Sequence, residues 1–299
     1  MFVMASAPGK LYLGAGTQCS GSSLISWCFL QRHGMNGVLD ARFDMLPILP
    51  LMAAGIKPWC KFTVACFRFS EVYAYFQDDG WEIAPLLVVR DVRNVFNSLS
   101  KKRIGANGIT AEEPPLRLRL LRLRDDWRMF REKNWPIMRY ESFVAAPEVE
   151  LKSACSAMGL DWDEAMINWP KPREQMADGR WGSRVLHESR NQTLRDSLRT
   201  DRAAIGTQNI LPGDFDWLER EFAEFNRDLN YPAHVEYAAP ANAGERLVPC
   251  YENTRRHWKK ARKGPIRKGL RSIARVFERM GDHLHTPPQR PGNVGLPDR

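Results

Sequence analysis

The stretch Leu11–Leu30, LYLGAGTQCSGSSLISWCFL, constrains this chain more than any other. Leu11–Leu13 predicts a short apolar strand, Gly14–Gly21 a glycine-bearing turn, and a helix is expected from about Ser22. Small residues between a strand and a helix let several backbone N–H groups converge on one point. The helix N-terminus adds partial positive charge there, so the turn suits an anion. The plainer alternative is a tight strand–helix turn that binds nothing.

The outline Gly16-x-x-x-x-Gly21-Ser22-Ser23 resembles a nucleotide P-loop with Ser22 in the lysine's place. A length of 299 residues allows one large α/β domain or two smaller ones, and the 43% hydrophobic and 26% charged fractions are those of a soluble globular chain. No stretch approaches the ~18–20 apolar residues of a membrane-spanning helix. The start, MFVMASAPGK, lacks the charged and apolar regions of a secretory signal. The cysteines at 19, 28, 60, 66, 155 and 250 are scattered, with no CxxC pair and no neighbouring histidines. They read as reduced, mostly buried thiols of a cytosolic protein, with no metal site expected.

Charge divides the chain. Residues 250–299 hold 13 Lys+Arg against 4 Asp+Glu, which accounts for the whole net charge of +9. The expected organisation is a neutral α/β body over 1–237, a linker over 238–250 and a basic tail over 251–299.

In chain order, a first helix is expected over 22–32, then a turn-rich break at HGMNG and a helix-and-loop region over 38–55. A second strand is expected at 58–64, a helix at 67–76, and a strand covered on both faces at 83–89, IAPLLVV. A helix follows to residue 102, then a long helix over 112–133 with Leu116, Leu120, Leu123, Trp127 and Phe130 on one face. Its many arginines read as a solvated face. A short strand over 137–140 and a helix over 148–158, capped by Gly159, complete the pattern. Strands alternating with helices imply a three-layer α-β-α body with a central parallel sheet.

The run VVRDVRNVFNSL (88–99) repeats the strand-then-helix logic of the opening stretch. Arg90 falls at the carboxyl end of its strand, where ligands bind in open α/β sheets, and Ser98 follows two helical turns on. The two types suit one phosphate, Arg with a planar fork of donors and Ser with a hydroxyl. Taken singly, a salt bridge and a plain helix surface explain them as well.

The loop CSGSS (19–23), the strand-then-R-D-x-R-x-V-x-x-S-L run (90–99) and the strand-then-R-Y-E-S-F run (139–143) stand in a telling order. Together with ESFVAAPEVELKSACSAMGLDWDE (141–164), they resemble the sulfotransferases that use 3′-phosphoadenosine 5′-phosphosulfate (PAPS). The resemblance covers residues 10–165. It implies that Ser20, Gly21, Ser22 and Ser23 bind the 5′-phosphosulfate and that Arg90 and Ser98 bind the 3′-phosphate. Tyr140 would lie near the adenine or ribose. Sulfuryl transfer asks the protein to orient an acceptor and to neutralise a leaving phosphate, which suits backbone amides, a helix terminus and cationic side chains.

The chain departs from that pattern at Cys19, where relatives usually carry Lys or Arg, and at Val92 and Asn94, where they carry Pro and Asp. Lys61, on the expected neighbouring strand, is the candidate replacement for the missing charge. The acceptor hydroxyl needs a general base; Asp40 is the candidate, with Asp44 and His33 as alternatives. GRWGS (179–183) is a possible late cofactor loop in which Arg180 faces the 3′-phosphate. A tryptophan-bearing structural turn is the simpler reading of it.

An amphipathic helix is expected over 215–229 for core packing. In the tail, Ile266, Leu270, Ile273, Phe277 and Met280 fall at helical spacing among basic residues. That pattern suits peripheral contact with an anionic membrane through residues 255–281, or a helix docked on the body; nucleic acid fits less well, because stacking aromatics are few. The leading expectation is a PAPS-dependent enzyme acting on a hydroxyl of a carbohydrate or glycolipid, in the cytoplasm or there at the inner membrane face. A small-molecule kinase built on the first loop, and a catalytically impaired binding module, are the alternatives.

Overall fold

The computed structural model describes residues 9–41, 57–64, 68–101, 116–168, 194–198 and 205–238. Five parallel strands form one sheet in the order β2-β3-β1-β4-β5. They are β1 (Lys10–Gly16), β2 (Met35–Ala41), β3 (Lys57–Thr63), β4 (Glu82–Val89) and β5 (Ile137–Arg139). The helices are α1 (Ser22–Gln31), α2 (Phe69–Asp78), α3 (Val92–Lys101), α4 (Leu116–Glu132), α5 (Tyr140–Ala145), α6 (Pro147–Met158), α7 (Leu194–Ser197), α8 (Pro212–Glu221) and α9 (Ala223–Asp228).

Alternation along the strands builds two cores. Leu11, Leu13, Ala15, Cys60, Phe62, Leu87 and Val89 face α2, α3, α4, α8 and α9. Tyr12, Trp59, Ala84, Leu86 and Val88 face α1, α5 and α6, where Phe29 stacks on Trp59 at 4.3 Å. The three-layer α/β expectation is therefore met. Pro85 is tolerated in β4 because β5 begins opposite Leu87, whose N–H reaches Pro136; the missing N–H of Pro85 faces a side with no strand yet.

Four local expectations are corrected. The first strand runs on through Gly14 and Gly16, which pair with Lys61 and Thr63 of β3, so the turn begins only at Thr17. A Cβ on Gly14 would lie 2.7 Å from the Trp59 ring, so the glycine serves packing rather than turning. The second strand, β2, replaces part of the break expected at HGMNG and the start of the helix-and-loop region expected from residue 38. A Cβ on Gly37 would sit 1.7 Å from the Trp59 carbonyl oxygen, so close pairing with β3 depends on that glycine. Residue 140 starts α5 instead of ending a strand. The helix expected over 215–229 is two helices, broken at Phe222.

The α4 stripe is buried as expected, and the periodicity also buries Arg119 and Asp126 on it. The arginines outside the stripe lie toward solvent, as expected, but four of them are also paired. Arg117 bonds Asp214 (2.8 Å), Arg124 bonds Glu221 (2.8 Å), and Arg128 and Arg131 share Glu224 (2.9 and 3.0 Å). These pairs lace α4 to α8 and α9.

Asp126 accepts the Phe69 N–H at the start of α2 with both carboxylate oxygens, at 2.9 and 3.0 Å. Burial pushes its carboxyl up to about 8, against the lowering effect of that N–H and of Arg68. An unfolded aspartate releases its proton near ~4. The folded state thus binds more protons between those values, and stability falls as pH rises through the window, by at most about 1.4 kcal/mol per pH unit. Asp126→Asn is expected to flatten this slope. Urea unfolding midpoints of both proteins from pH 5 to 8.5 check it, and parallel profiles would contradict it.

Candidate functional site

The carboxyl ends of β1, β3, β4 and β5 lie along one edge of the sheet and deliver Thr17, Val64, Arg90 and Tyr140. The connection from β1 to α1 folds back over this edge. Cys19 (φ 65°) and Gly21 (φ 84°) both take left-handed backbone, and the Ser20 hydroxyl and N–H close the turn on the Thr17 carbonyl at 2.7 and 3.2 Å. A Cβ on Gly16 would lie 2.8 Å from the Ser20 hydroxyl and from the Val88 carbonyl, so that glycine lets the turn lie flat on β4.

Helix α1 starts at Ser22 with no side-chain cap. Its first N–H groups, with the hydroxyls of Ser22 and Ser23, form the floor of the turn.

Three buried cations approach this turn from different elements. Lys61 of β3, 2% exposed, donates to the Ser23 hydroxyl (3.2 Å) and to the Thr63 hydroxyl (3.1 Å) from the α1 side. Arg90, 7% exposed, donates from the end of β4 to the Cys19 carbonyl (3.0 Å). Arg119 of α4, 1% exposed, donates from the opposite face to the Gln18 side chain. Tyr140 packs under the turn. A Cβ on Gly21 would be 2.2 Å from its ring, and the Arg90 guanidinium lies 5.0 Å from the ring centroid.

Gly21, Ser23, Lys61, Arg90 and Tyr140 are therefore in one constellation, and Ser22 starts the helix beside it. The Ser20 hydroxyl is spent on the turn itself. Ser98 stands six residues into α3, about 9 Å along its axis, and its hydroxyl joins none of these contacts among the described residues. It follows Asn94 by one turn, on the side where Asn94 accepts the Gly206 N–H at 3.0 Å.

Asp40 belongs to the carboxyl end of β2, beside β3, where the register slips between Val38 and Ala41. His33, in contrast, follows α1 at the end remote from the turn and bonds Asp163 at 2.9 Å. It is removed from the candidate bases. Asp44, Arg180 and the GRWGS turn, most of the linker (239–250) and the tail segment 255–281 lie outside the described residues.

Asp91, at the end of β4, is not available to hold a metal ion. It makes a buried two-point pair with Arg93 (2.9 and 2.7 Å), and Arg93 also reaches the Pro232 carbonyl at 3.0 Å. The Asp91 N–H donates to Glu141, which accepts the Tyr231 hydroxyl at 3.0 Å. This network fixes the strand end that carries Arg90. It also deprives the kinase alternative of a carboxylate at that strand end.

Arg119 and Gln18 are the site residues that the motif reading passed over. The signal was present, because Arg119 lies three residues after Leu116 and four before Leu123, on the buried stripe.

The sulfotransferase domain from the curacin biosynthetic pathway superposes with a TM-score of 0.57 at 14% identity, covering 77% of this chain and all of that one. The chain has a sulfotransferase fold. Two further structures match at TM-scores of 0.48 and 15% identity. The sulfotransferase domain of the Synechococcus PCC 7002 olefin synthase covers 74% of this chain and 96% of its own. A mouse sulfotransferase complexed with PAP covers 76% and 89%. No protein-family model and no curated protein sequence matches the chain. Within this fold, uncapped helix amides, two hydroxyls and two buried cations, Lys61 and Arg90, make a donor set suited to a phosphate-bearing anion. Among the described residues no helix is long and apolar enough to cross a membrane.

Proposed function

We propose that this chain transfers a sulfuryl group from PAPS to a hydroxyl of a carbohydrate or glycolipid. The observation that supports the reading best is the approach of Lys61 and Arg90 to a glycine turn at the head of an uncapped helix, within a sulfotransferase fold. PAPS supplies an SO₃ group whose bond to the 5′-phosphate oxygen breaks, with its electron pair, as the acceptor oxygen bonds to sulfur. The amides of residues 21–23 and the hydroxyls of Ser22 and Ser23 bind the 5′ end, around a turn that Ser20 closes; Arg90 and Ser98 bind the 3′-phosphate, and Tyr140 borders the nucleoside. Lys61 faces the oxygen that gains charge as it leaves, and Asp40 takes the acceptor's proton.

Carboxylate–hydroxyl contact and a cation at the leaving oxygen are two contributions that differ between ground and transition states, so they act on turnover. The glycolipid option and a location at the inner membrane face rest on the basic amphipathic sequence of residues 255–281. Calorimetry with adenosine 3′,5′-bisphosphate tests the donor site, and release of that product from PAPS in the presence of soluble sugars or glycolipid vesicles tests the acceptor. Micromolar binding with acceptor-dependent release is expected. Absence of binding would end the proposal.

A further inference from the structure

Residues 17–23 contain no cationic side chain, so the positive groups at this turn all come from elsewhere in the chain. Lys61 and Arg90 reach the turn from the carboxyl-terminal part of β3 and the end of β4. Arg119 comes from a helix instead, on the buried stripe of α4 among Leu116, Leu120 and Leu123. Burying a guanidinium there is costly unless its N–H groups are satisfied, so a contact that it keeps is a specified one. Its Nη1 donates to Oε1 of Gln18, which precedes Cys19 in its left-handed conformation.

A non-glycine residue at φ 65° is strained and persists only where its surroundings hold it. Cys19 is held on both sides, by Arg90 on its own carbonyl and by Arg119 on the preceding side chain.

We infer that Arg119 is a positioning residue that clamps Gln18 and thereby keeps the 17–21 turn in the shape that receives the 5′-phosphate end of the nucleotide. The choice of ligand rests on the function proposed above; the clamp itself does not. Its effect is confined to one end of the ligand. The 3′-phosphate is assigned to Arg90 and Ser98, at the end of β4 and on α3 rather than on the 17–21 turn.

The test combines two measurements on the full chain. In Arg119→Met, which keeps the helical stripe apolar, and in Gln18→Ala, hydrogen exchange of the nucleotide-free protein is expected to speed up about tenfold in residues 17–23. Exchange in β4 should stay unchanged. Affinity for adenosine 3′,5′-bisphosphate and for adenosine 5′-monophosphate should fall about tenfold in each variant, and the double variant should lose no more than either single one. Affinity for adenosine 3′-monophosphate should be unaltered. A merely structural role would weaken all three ligands together.

Unchanged exchange at 17–23 would overturn the clamp, as would additive losses or an equal loss with the 3′-monophosphate. If the wild-type chain binds none of these nucleotides, the sulfotransferase reading fails, and the exchange measurement alone then decides for or against the clamp.

Discussion

Replacing Arg90 by alanine is expected to weaken binding of adenosine 3′,5′-bisphosphate by about a hundredfold or more. Removing one partner of a buried, hydrogen-bonded charge pair costs about 2–5 kcal/mol. Arg90 meets the conditions for that range, within which a hundredfold is about 2.7 kcal/mol. It is nearly buried, and its guanidinium is set by the Cys19 carbonyl at 3.0 Å and the Tyr140 ring at 5.0 Å. Little side-chain freedom remains to be lost when a phosphate arrives. Arg90→Lys should recover only a small part of the loss, because an ammonium offers a point charge where the site is shaped for a planar fork. Calorimetry on both variants checks this, with thermal unfolding as the control for folding. Less than a threefold loss in a folded Arg90→Ala protein would remove Arg90 from the nucleotide site. Adenosine 3′-monophosphate should lose as much as the bisphosphate, the reverse of the pattern expected for Arg119.

Much of the fold was legible because it depends on local apolar pattern. The run 83–89 could only be a strand covered on both faces, and the stripe from Leu116 to Phe130 could only be one buried helix face. What the sequence concealed depends on distant partners. Nothing near Gly37 says that its missing side chain makes room for the Trp59 carbonyl, so MNGVLDA reads as turn and loop although it pairs with β3. The arginines of α4 look unpaired because the acids that bind them lie more than 90 residues away, on helices whose placement no periodicity reveals.

The site divides in the same way. Residue types and motif order pointed to the 20–23 turn, Arg90 and Tyr140, and all of these meet at one sheet edge. The hydroxyl of Ser20 is used by the turn, a contact only three residues long that a motif does not express. Arg119 is the opposite case. Its place on the stripe was readable, but a buried arginine becomes informative only when its partner, Gln18, is known.

Lys61→Met is expected to lower turnover by about 10²–10³-fold while changing bisphosphate affinity by no more than about threefold. The split follows from where the side chain is held. Its Nζ lies 3.2 Å from the Ser23 hydroxyl and 3.1 Å from that of Thr63, so it stands at the rim of the helix N-terminus. A donor in that place meets the bridging oxygen most strongly when that oxygen carries the charge of the broken S–O bond, and removing one such preorganised donor costs about 2.7–4 kcal/mol. Product binding needs less from it, because the amides of α1 and Arg90 remain. Methionine fills the same buried space on β3 beside Gly14, so the strand should survive the exchange. Steady-state rates and calorimetric affinities measured on one preparation separate the two effects. Equal losses in rate and affinity would make Lys61 a ground-state ligand, and the charge facing the leaving oxygen would then have to be supplied from another element.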